Sequence, residues 1–288
     1  MFFMVEVVLG VSLAVIMFSL GLGLSPKDFA VAIQQPKALF AGVICQVVLL
    51  PLLAFVLVLS FRLEGEFALG VMILSCCPGG ITSNVMTKWG RGDVALSISY
   101  TSLASLLTAI TLPLILSVAA RAFLPEALFD LEILPLSVKV FSIATLPVLF
   151  GVTLRRLQPL LVERSEQKMA VVANALFVVI LLGTLIGQWN TFTGNLLILG
   201  PILLGLNLIM LFLGCCVGSV LQLPKAKITT LAIESGFQNG TVGIVVGALV
   251  SQPATGEVFA PTSLPSAVYG VLMLMTIAPF ILWRRSCS

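Results

Sequence analysis

An acidic residue and two carboxamides stand inside an apolar stretch near the end of the sequence. Glu234, Gln238 and Asn239 belong to the segment AIESGFQNGTVGIVV, residues 232–246, which three glycines interrupt. A charge in the hydrocarbon of a bilayer costs about 2.5–3.5 kcal/mol on insertion scales, so such a residue usually faces a cavity and binds something. The glycines predict a broken helix, whose free carbonyl oxygens and amide protons can serve as ion ligands. Because no basic residue of the same membrane layer can neutralise Glu234, we expect it to hold a bound cation or a bound proton.

Further oxygen-bearing side chains surround a second interruption, CCPGGITSN at residues 76–84. Pro78 removes a backbone donor and the two glycines after it relax the backbone. We therefore expect a helix to stop there and to resume after Ser83 and Asn84. These two side chains would then lie at a helix break, as Glu234 does.

Hydroxyl and carboxamide groups also occur within two uninterrupted apolar segments. Ser97, Thr101, Ser105 and Thr108 follow one another at steps of four, four and three, which places them on one stripe of a helix. Hydroxyls in membrane helices more often bond the carbonyl one turn back or permit close packing. The spacing leaves ion binding open for Ser97 and Thr101 and favours packing for the other two. For Gln46, ion binding and an interhelical hydrogen bond are both open.

The composition is that of a polytopic membrane protein. Of the 288 residues, 59% are hydrophobic and 9% are charged, and the mean hydropathy is +1.17, whereas about a quarter of the residues of a soluble domain are charged. The absence of histidine argues against most hydrolases and metalloenzymes. The net charge of +3 comes from loop residues, so it gives no reason to expect nucleic acid as a partner. The six cysteines lack metal-ligand spacing and are interpreted as core residues.

Nine apolar segments are each long enough for a membrane span, which requires ~20 residues. The predicted fold is therefore an all-α polytopic membrane protein with nine transmembrane helices. The predicted spans are 4–23, 38–60, 67–90, 94–119, 133–154, 169–189, 196–221, 228–250 and 264–283.

The loops between these spans predict the orientation. Of the 15 basic residues, twelve fall on one side: Lys27, Lys37, Lys88, Arg91, Arg155, Arg156, Arg164, Lys168, Lys225, Lys227, Arg284 and Arg285. Only Arg62 and Arg121 fall on the other side, and Lys139 lies within the fifth predicted span. By the positive-inside rule the N-terminus is outside and the C-terminus is cytoplasmic, as expected for a multi-pass protein of the cell (inner) membrane.

The two interrupted spans, 67–90 and 228–250, run in opposite directions in this topology. Interrupted helices in corresponding positions of two inverted halves are the best sequence indication of a transporter site near the bilayer midplane. We therefore expect inverted repeats in which two discontinuous helices form the site.

Three long blocks resemble one known family. MFSLGLGLSPKDF (17–29), CCPGGITSNVMTKWGRGDVALSIS (76–99) and IESGFQN (233–239) are similar to the bile acid:sodium symporter family, and the likeness covers nearly the whole chain. It implies the nine-helix form of the family fold, in which two crossed broken helices belong to a core domain and a panel domain moves against it. Core helices would be about 38–60, 67–90, 94–119, 196–221, 228–250 and 264–283. Panel helices would be about 4–23, 133–154 and 169–189.

The resemblance implies two transported sodium ions. The first site would use Ser83, Asn84, Ser97, Thr101 and Glu234. The second would use Gln46, Gln238, the Glu234 carboxylate again, and backbone carbonyls near Ser235 and Phe237. Sodium is a hard cation, and oxygen atoms of these kinds can replace its hydration shell.

The resemblance also implies an organic anion as substrate. Some bacterial relatives have a His-Asn pair in the last helix, lining the substrate cavity, where this chain has Tyr269 and Gly270. This difference favours a small carboxylate such as pantoate or pyruvate over a bile acid. The N-terminal ends of the second half-helices carry polar residues and the positive ends of the helix dipoles, which favour the binding of an anion. The expected substrate residues are Thr82, Asn84, Asn239, Gly240, Thr241 and Tyr269.

Three other function classes are an intramembrane enzyme, a channel and a proton-coupled carrier. An intramembrane enzyme is disfavoured because there is no HExxH motif, no histidine and only one carboxylate at depth. A channel would show flux without saturation. A proton-coupled carrier that uses Glu234 is the nearer alternative, and it differs from a sodium symporter in whether a pH gradient or a sodium gradient drives uptake.

Overall fold

The computed structural model describes residues 2–24, 34–124, 133–250 and 260–286, and these are helical or lie in short connections, with no strand among them. In hydrocarbon, backbone groups must bond one another, and a helix achieves this within a single segment. The helices are α1 Phe2–Gly23, α2 Pro36–Ser60, α3a Gly65–Ser75, α3b Ile81–Trp89, α4 Val94–Phe123, α5 Ile133–Leu157, α6 Pro159–Gly187, α7 Trp189–Val220, α8a Lys225–Gly236, α8b Gly240–Val250 and, after the 3₁₀ turn Pro261–Ser263, α9 Leu264–Ser286. Each predicted span coincides with one of these helices or with a pair of half-helices, which confirms the all-α class.

Length and composition support fewer spans than the sequence predicts. Within the described residues, four helices are long and apolar enough to cross a bilayer, namely α2, α6, α7 and the 3₁₀ turn with α9. A fifth is added if α4, whose two parts differ in direction by 52°, is a single span. The number of nine therefore stays a prediction.

The polar segment before the sixth predicted span is helical as well. α6 begins at Pro159, about ten residues before that span. Proline is favourable in the first turn of a helix because its φ is already helical and its missing N–H is not needed there. The charged residues that follow, Glu163 to Lys168, are mostly good helix formers, so they continue α6.

The first helix break lies where the sequence predicts it, but the second half-helix begins earlier. α3b begins at Ile81 and not after Asn84, because Gly80 takes the N-cap position with an extended backbone (φ −125°, ψ 172°). The Ser83 hydroxyl donates to the Gly80 carbonyl at 2.6 Å and closes this first turn. Ser83 and Asn84 therefore lie within the first turn of α3b.

The two helix breaks contact each other. α8a ends at Gly236 and α8b begins at Gly240, and between them the backbone N–H of Asn239 donates to the carbonyl of Pro78 at 2.8 Å. Each break exposes backbone groups that a continuous helix would use itself, so each can complete the other's hydrogen bonding.

Helix α2 contains a π-helical turn, Cys45–Leu49, that the sequence analysis did not predict. The N–H of Leu50 donates to the Cys45 carbonyl five residues back. Pro51 follows at once and has no N–H to give to the carbonyl four residues before it, so regular α-helical bonding fails at this place. π-turns are frequent at functional sites, and this one carries Gln46.

Glycine contacts bring α1 and α5 close together. A Cβ on Gly151 would lie 2.6 Å from the Phe18 carbonyl, and a Cβ on Gly21 would collide with the carbonyl of Val148. Small residues at such a crossing let two membrane helices approach closely. At one end of the pair, Arg155 donates to Glu166 of α6 at 2.7 Å and to the carbonyl of Leu22, which links all three helices.

Candidate functional site

Glu234 lies in the last turn of α8a and is fully buried. Thr101 donates a hydrogen bond to Oε2 at 2.7 Å, and Ser97 donates to Oε1. Both donors stand on α4, one turn apart, so the two carboxylate oxygens are held by neighbouring turns of one helix.

A contact one turn away sets the alignment of α4 against α8a. Asp93, the N-cap of α4, accepts from the N–H of Leu96 at 3.0 Å and fixes the helix start. Its backbone N–H donates to the Thr230 hydroxyl at 2.8 Å. Thr230 precedes Glu234 by four residues, as Asp93 precedes Ser97 by four. Successive turns of the two helices therefore meet in pairs, and Ser97 is placed beside Glu234.

The Ser97 hydroxyl lies close to more hydrogen-bond acceptors than it can donate to. Its hydroxyl lies 2.7 Å from Asn84 Oδ1 and 3.3 Å from Thr87 Oγ1, as well as beside Glu234. A hydroxyl has one hydrogen, so it cannot donate to both the carboxamide oxygen and the carboxylate. A surplus of acceptors is the environment that a bound cation would complete.

Side-chain oxygens of Glu234, Thr101 and Ser83 surround a space beside Gly79. A Cβ built on this glycine would lie 2.9 Å from Glu234 Oε2, 3.3 Å from Thr101 Oγ1 and 3.4 Å from Ser83 Oγ. The absence of a side chain here leaves the space between these oxygens open. The structure thus brings together all five residues predicted for the first sodium site, from α3b, α4 and α8a.

The residues predicted for the second sodium site form a neighbouring cluster. Gln46 Nε2 donates to Gln238 Oε1 at 2.8 Å and to the Cys77 carbonyl at 2.6 Å. Gln238 Nε2 in turn donates to the Ser235 carbonyl at 3.0 Å. Since both oxygens of Glu234 accept from hydroxyls of α4, its sharing between the two sites stays a prediction.

A small cavity lies where the second half-helices begin, between the two breaks and helices α1 and α6. Its volume is about 40 Å³, and Thr82, Asn239, Gly240 and Thr241 of the predicted substrate residues line it. Phe237 and Gln238 line it too, with apolar residues of α1, α6 and α9. On the α6 side Asn174 accepts from the Thr82 hydroxyl at 3.4 Å. Ligand pockets usually have volumes of about 300–1,000 Å³, so this cavity is much smaller than a typical ligand pocket.

A larger cavity of about 280 Å³ reaches the first predicted sodium site from another direction. It lies between α1, α3b, α4 and α6, with Asn84 and Thr101 in its lining as well as Lys88 and Glu166. Lys88 is in the last turn of α3b, so the cavity runs along this half-helix towards the side that the positive-inside rule predicts to be cytoplasmic. We call it the vestibule.

Two of the predicted substrate residues lie outside the small cavity. Asn84 lines the vestibule instead. Tyr269 is fully buried, and its hydroxyl donates to the Gly236 carbonyl at 2.8 Å. In this structure the Tyr269 hydroxyl is turned to the end of α8a and away from the small cavity, and its role in substrate binding stays a prediction.

The sequence analysis missed several polar residues around these sites. They are Thr87, which lies near Ser97; Tyr100, whose hydroxyl is 3.5 Å from Gln46 Oε1; Asn174; and Asn207, which contacts Tyr269. A usable signal existed for the two asparagines, because each is a carboxamide within a predicted apolar span. Thr87 and Tyr100 carry no such signal.

Comparison with known proteins decides the family. The sequence profile of the Sodium Bile acid symporter family matches residues 10–195. The chain belongs to this family. The family assignment agrees with the resemblance found in the sequence, and relatives of the chain are named transporters and cotransporters, not enzymes. The expected class, a multi-pass membrane transporter, is thereby confirmed.

Relatives within the family differ in what their names say they carry. An uncharacterized sodium-dependent transporter of Bacillus subtilis, YocS, is 31% identical over 90% of this chain and 77% of its own length. A probable chloroplastic sodium/metabolite cotransporter of Arabidopsis thaliana, BASS1, is 30% identical over 96% of this chain. An ileal sodium/bile acid cotransporter of Oryctolagus cuniculus is 29% identical over 81% of it. The chain spans 66% of the length of each of the last two.

Proposed function

We propose that this protein is a symporter that couples the entry of an organic anion to the entry of sodium by alternating access. The observation that carries the proposal is the meeting of two helix breaks around one buried carboxylate. The backbone N–H of Asn239 donates to the Pro78 carbonyl and so joins the two breaks. Glu234, whose carboxylate accepts hydrogen bonds from α4, lies within one turn of the second break. Broken helices in inverted halves are how many secondary transporters build a midplane site.

Two sodium ions are proposed, one in each oxygen cluster. The first would lie over Gly79 among Ser83, Thr101 and Glu234, with Ser97 and Asn84 beside them. The second would lie between Gln46, Gln238 and the carbonyls of residues 235 and 237. The surplus of acceptors at Ser97 supports the first site, and the buried cluster that brings the Gln46 and Gln238 carboxamides and the Ser235 carbonyl together supports the second.

The substrate proposed is a small carboxylate, such as pantoate or pyruvate, bound in the small cavity. Thr82 is at the start of α3b, and Gly240 and Thr241 are at the start of α8b, so two helix N-termini supply free N–H groups and positive dipole ends. Asn239 adds a carboxamide. The relatives' names, sodium/metabolite and sodium/bile acid cotransporter, support an organic substrate without selecting one.

Alternating access is proposed to occur between a core of α2, α3a–α3b, α4, α7, α8a–α8b and α9 and a panel of α1, α5 and α6. The two breaks and both ion clusters belong to the core. Residues of α1 and α6 complete the lining of the small cavity and of the vestibule. At about 40 Å³ the cavity has no room for an organic anion, so the panel must move from the core to admit one.

The proposed orientation has the N-terminus outside, the C-terminus in the cytoplasm and the protein in the cell (inner) membrane. With this orientation the vestibule opens to the cytoplasm. Thr101 and Asn84 at its lining would then release the first sodium ion inward. The twelve basic residues assigned to the cytoplasmic side support this orientation.

Uptake into proteoliposomes, with radiolabelled small carboxylates and a bile acid as the panel of substrates, tests the proposal. An inward sodium gradient should drive saturable uptake of at least one small carboxylate, and an equal potassium gradient should not. Uptake that follows a pH gradient and ignores sodium would replace the proposal by a proton-coupled carrier. The groups that contact the Glu234 carboxylate are hydroxyls, and a protonated carboxyl can bond to hydroxyls too, so the site is also compatible with proton coupling.

A further inference from the structure

Side chains of α7 and α9 hold the end of the half-helix α8a. The carbonyl of Gly236, the last residue of α8a, accepts from Asn207 Nδ2 at 2.7 Å and from the Tyr269 hydroxyl at 2.8 Å. The last carbonyls of a helix have no partner within it, so at a buried helix end other groups must supply the donors. Here the two donors occupy both lone pairs of one carbonyl oxygen.

The same side chains form a network with a fixed arrangement. A backbone carbonyl only accepts, so the amino group of Asn207 must face Gly236, and Asn207 Oδ1 is then the atom that lies 2.6 Å from the Thr276 hydroxyl. The amino group also lies 3.1 Å from the Tyr269 hydroxyl. Asn207 is 1% exposed and Tyr269 is fully buried. Such a satisfied buried network favours one geometry, because any other would leave a polar group without a partner.

The packing of α7 on α8a explains why Asn207 is at this height. The two helices run antiparallel in close contact, since a Cβ on Gly214 would lie 2.5 Å from Ala232 Cα and one on Gly236 would lie 2.8 Å from Leu211 Cγ. Asn207 is one turn further along the same face of α7. It therefore stands at the point where α8a ends and a free carbonyl remains.

We propose that Asn207, Tyr269 and Thr276 are positioning residues for the second sodium site. By turning the Gly236 carbonyl towards α7 and α9, they keep the chain after it unwound. Gln238, two residues on, can then reach Gln46 at 2.8 Å and the Ser235 carbonyl at 3.0 Å. The inference rests on the proposed function, because it assumes that sodium binds between these oxygens.

The test is a sodium titration of the purified full-length protein, in which the rise in melting temperature reports binding. The variants are Tyr269→Phe, Asn207→Ala and the double variant. Each single variant should lower the apparent sodium affinity by about three- to ten-fold, the effect expected of one buried hydrogen bond. The double variant should lose more than the product of the two, because only then is the carbonyl left without a donor.

Asn195→Ala is the matched control. It removes the same side chain from the same helix, where Asn195 Nδ2 donates to the Thr191 carbonyl within α7, and should leave sodium affinity unchanged. If Tyr269→Phe and Asn207→Ala lower the melting temperature without sodium but titrate like the parent, the network only stabilises the fold and the inference is wrong. If the parent itself is stabilised no more by sodium than by potassium, the proposed function fails first.

Discussion

At the scale of single residues, the protein depends on how one buried carboxylate is surrounded. On insertion scales, placing a charged side chain such as that of Glu234 in the hydrocarbon costs about 2.5–3.5 kcal/mol. Hydroxyls of α4 offset part of this cost through hydrogen bonds to both of its oxygens. A cation in the same cluster would offset more, since it brings the opposite charge.

Replacing Glu234 by Gln should abolish sodium-coupled uptake, not merely weaken it. The substitution keeps the shape of the side chain and removes the charge that makes cation entry favourable. Calorimetric titration of the purified variant with sodium checks this, and the loss of affinity should exceed that of any hydroxyl variant. Parent-like sodium binding by Glu234→Gln would make the residue structural, and the ion sites would have to be sought elsewhere.

Replacing Gly79 by Ala should strongly weaken the first sodium site. The new Cβ would lie 2.9 Å from a Glu234 oxygen and 3.3 Å from Thr101 Oγ1, in the space where the ion is proposed. Sodium titration by thermal shift measures the effect. The neighbouring Gly80→Ala is a matched control, because its Cβ would meet only Asn239, at 3.9 Å, and it should bind sodium like the parent. Equal sodium affinity in both variants would move the ion away from Gly79.

At the scale of secondary-structure elements, helix starts and stops decide which oxygens meet. α4 begins at an N-cap, Asp93, that is also bonded to α8a, so its stripe of hydroxyls is aligned with Glu234. The π-turn of α2 follows from Pro51 and includes Gln46. In both cases a local backbone feature determines where a side chain of a proposed sodium site lies.

The stripe of hydroxyls on α4 allows a test of the proposed division between ion-binding and packing hydroxyls. Thr101→Val keeps the shape but removes the donor to Glu234, and should lower sodium affinity by about five-fold, equivalent to roughly 1 kcal/mol. Ser105→Ala removes the next hydroxyl, which donates to the Thr101 carbonyl at 2.7 Å within the helix, and should have little effect. Sodium titrations of both variants test this. A larger loss in Ser105→Ala than in Thr101→Val would contradict the assignment.

At the scale of the whole molecule, the proposed mechanism requires α6 to move relative to α3b. The two helices meet where Thr82 donates to Asn174 at 3.4 Å, at the edge of the small cavity. This long contact is partly exposed and does not resist separation strongly, since a weak hydrogen bond contributes little net stability. It is therefore a suitable place to test relative motion.

Joining the two helices should stop transport. In a double variant, Thr82→Cys with Asn174→Cys, oxidation to a disulfide should abolish sodium-driven uptake, and a reductant should restore it. The parent treated with the same oxidant is the control for the native cysteines, of which Cys45, Cys76 and Cys77 are buried and Cys215 and Cys216 are partly exposed. Uptake before and after oxidation of the same sample is compared, which removes any effect of the substitutions themselves. Unchanged uptake with a complete cross-link would mean that these two helices move together.

The sequence by itself determined the membrane class and the two breaks, and it singled out the oxygen-bearing residues that the structure brings together around Glu234. Glu234 and the Pro-Gly-Gly segment are conspicuous because polar and helix-breaking residues are costly in an apolar span, and that cost is a local property of the chain. It did not determine the first residue of α3b, the π-turn at Gln46 or the early start of α6, since these depend on how backbone groups at helix ends find partners. Only the tertiary structure decided that Tyr269 turns from the cavity to Gly236, that Asn207 joins it and that Asn174 meets Thr82. These contacts link residues far apart in the chain, and each depends on the depth and rotation of two packed helices, which hydrophobic periodicity leaves free.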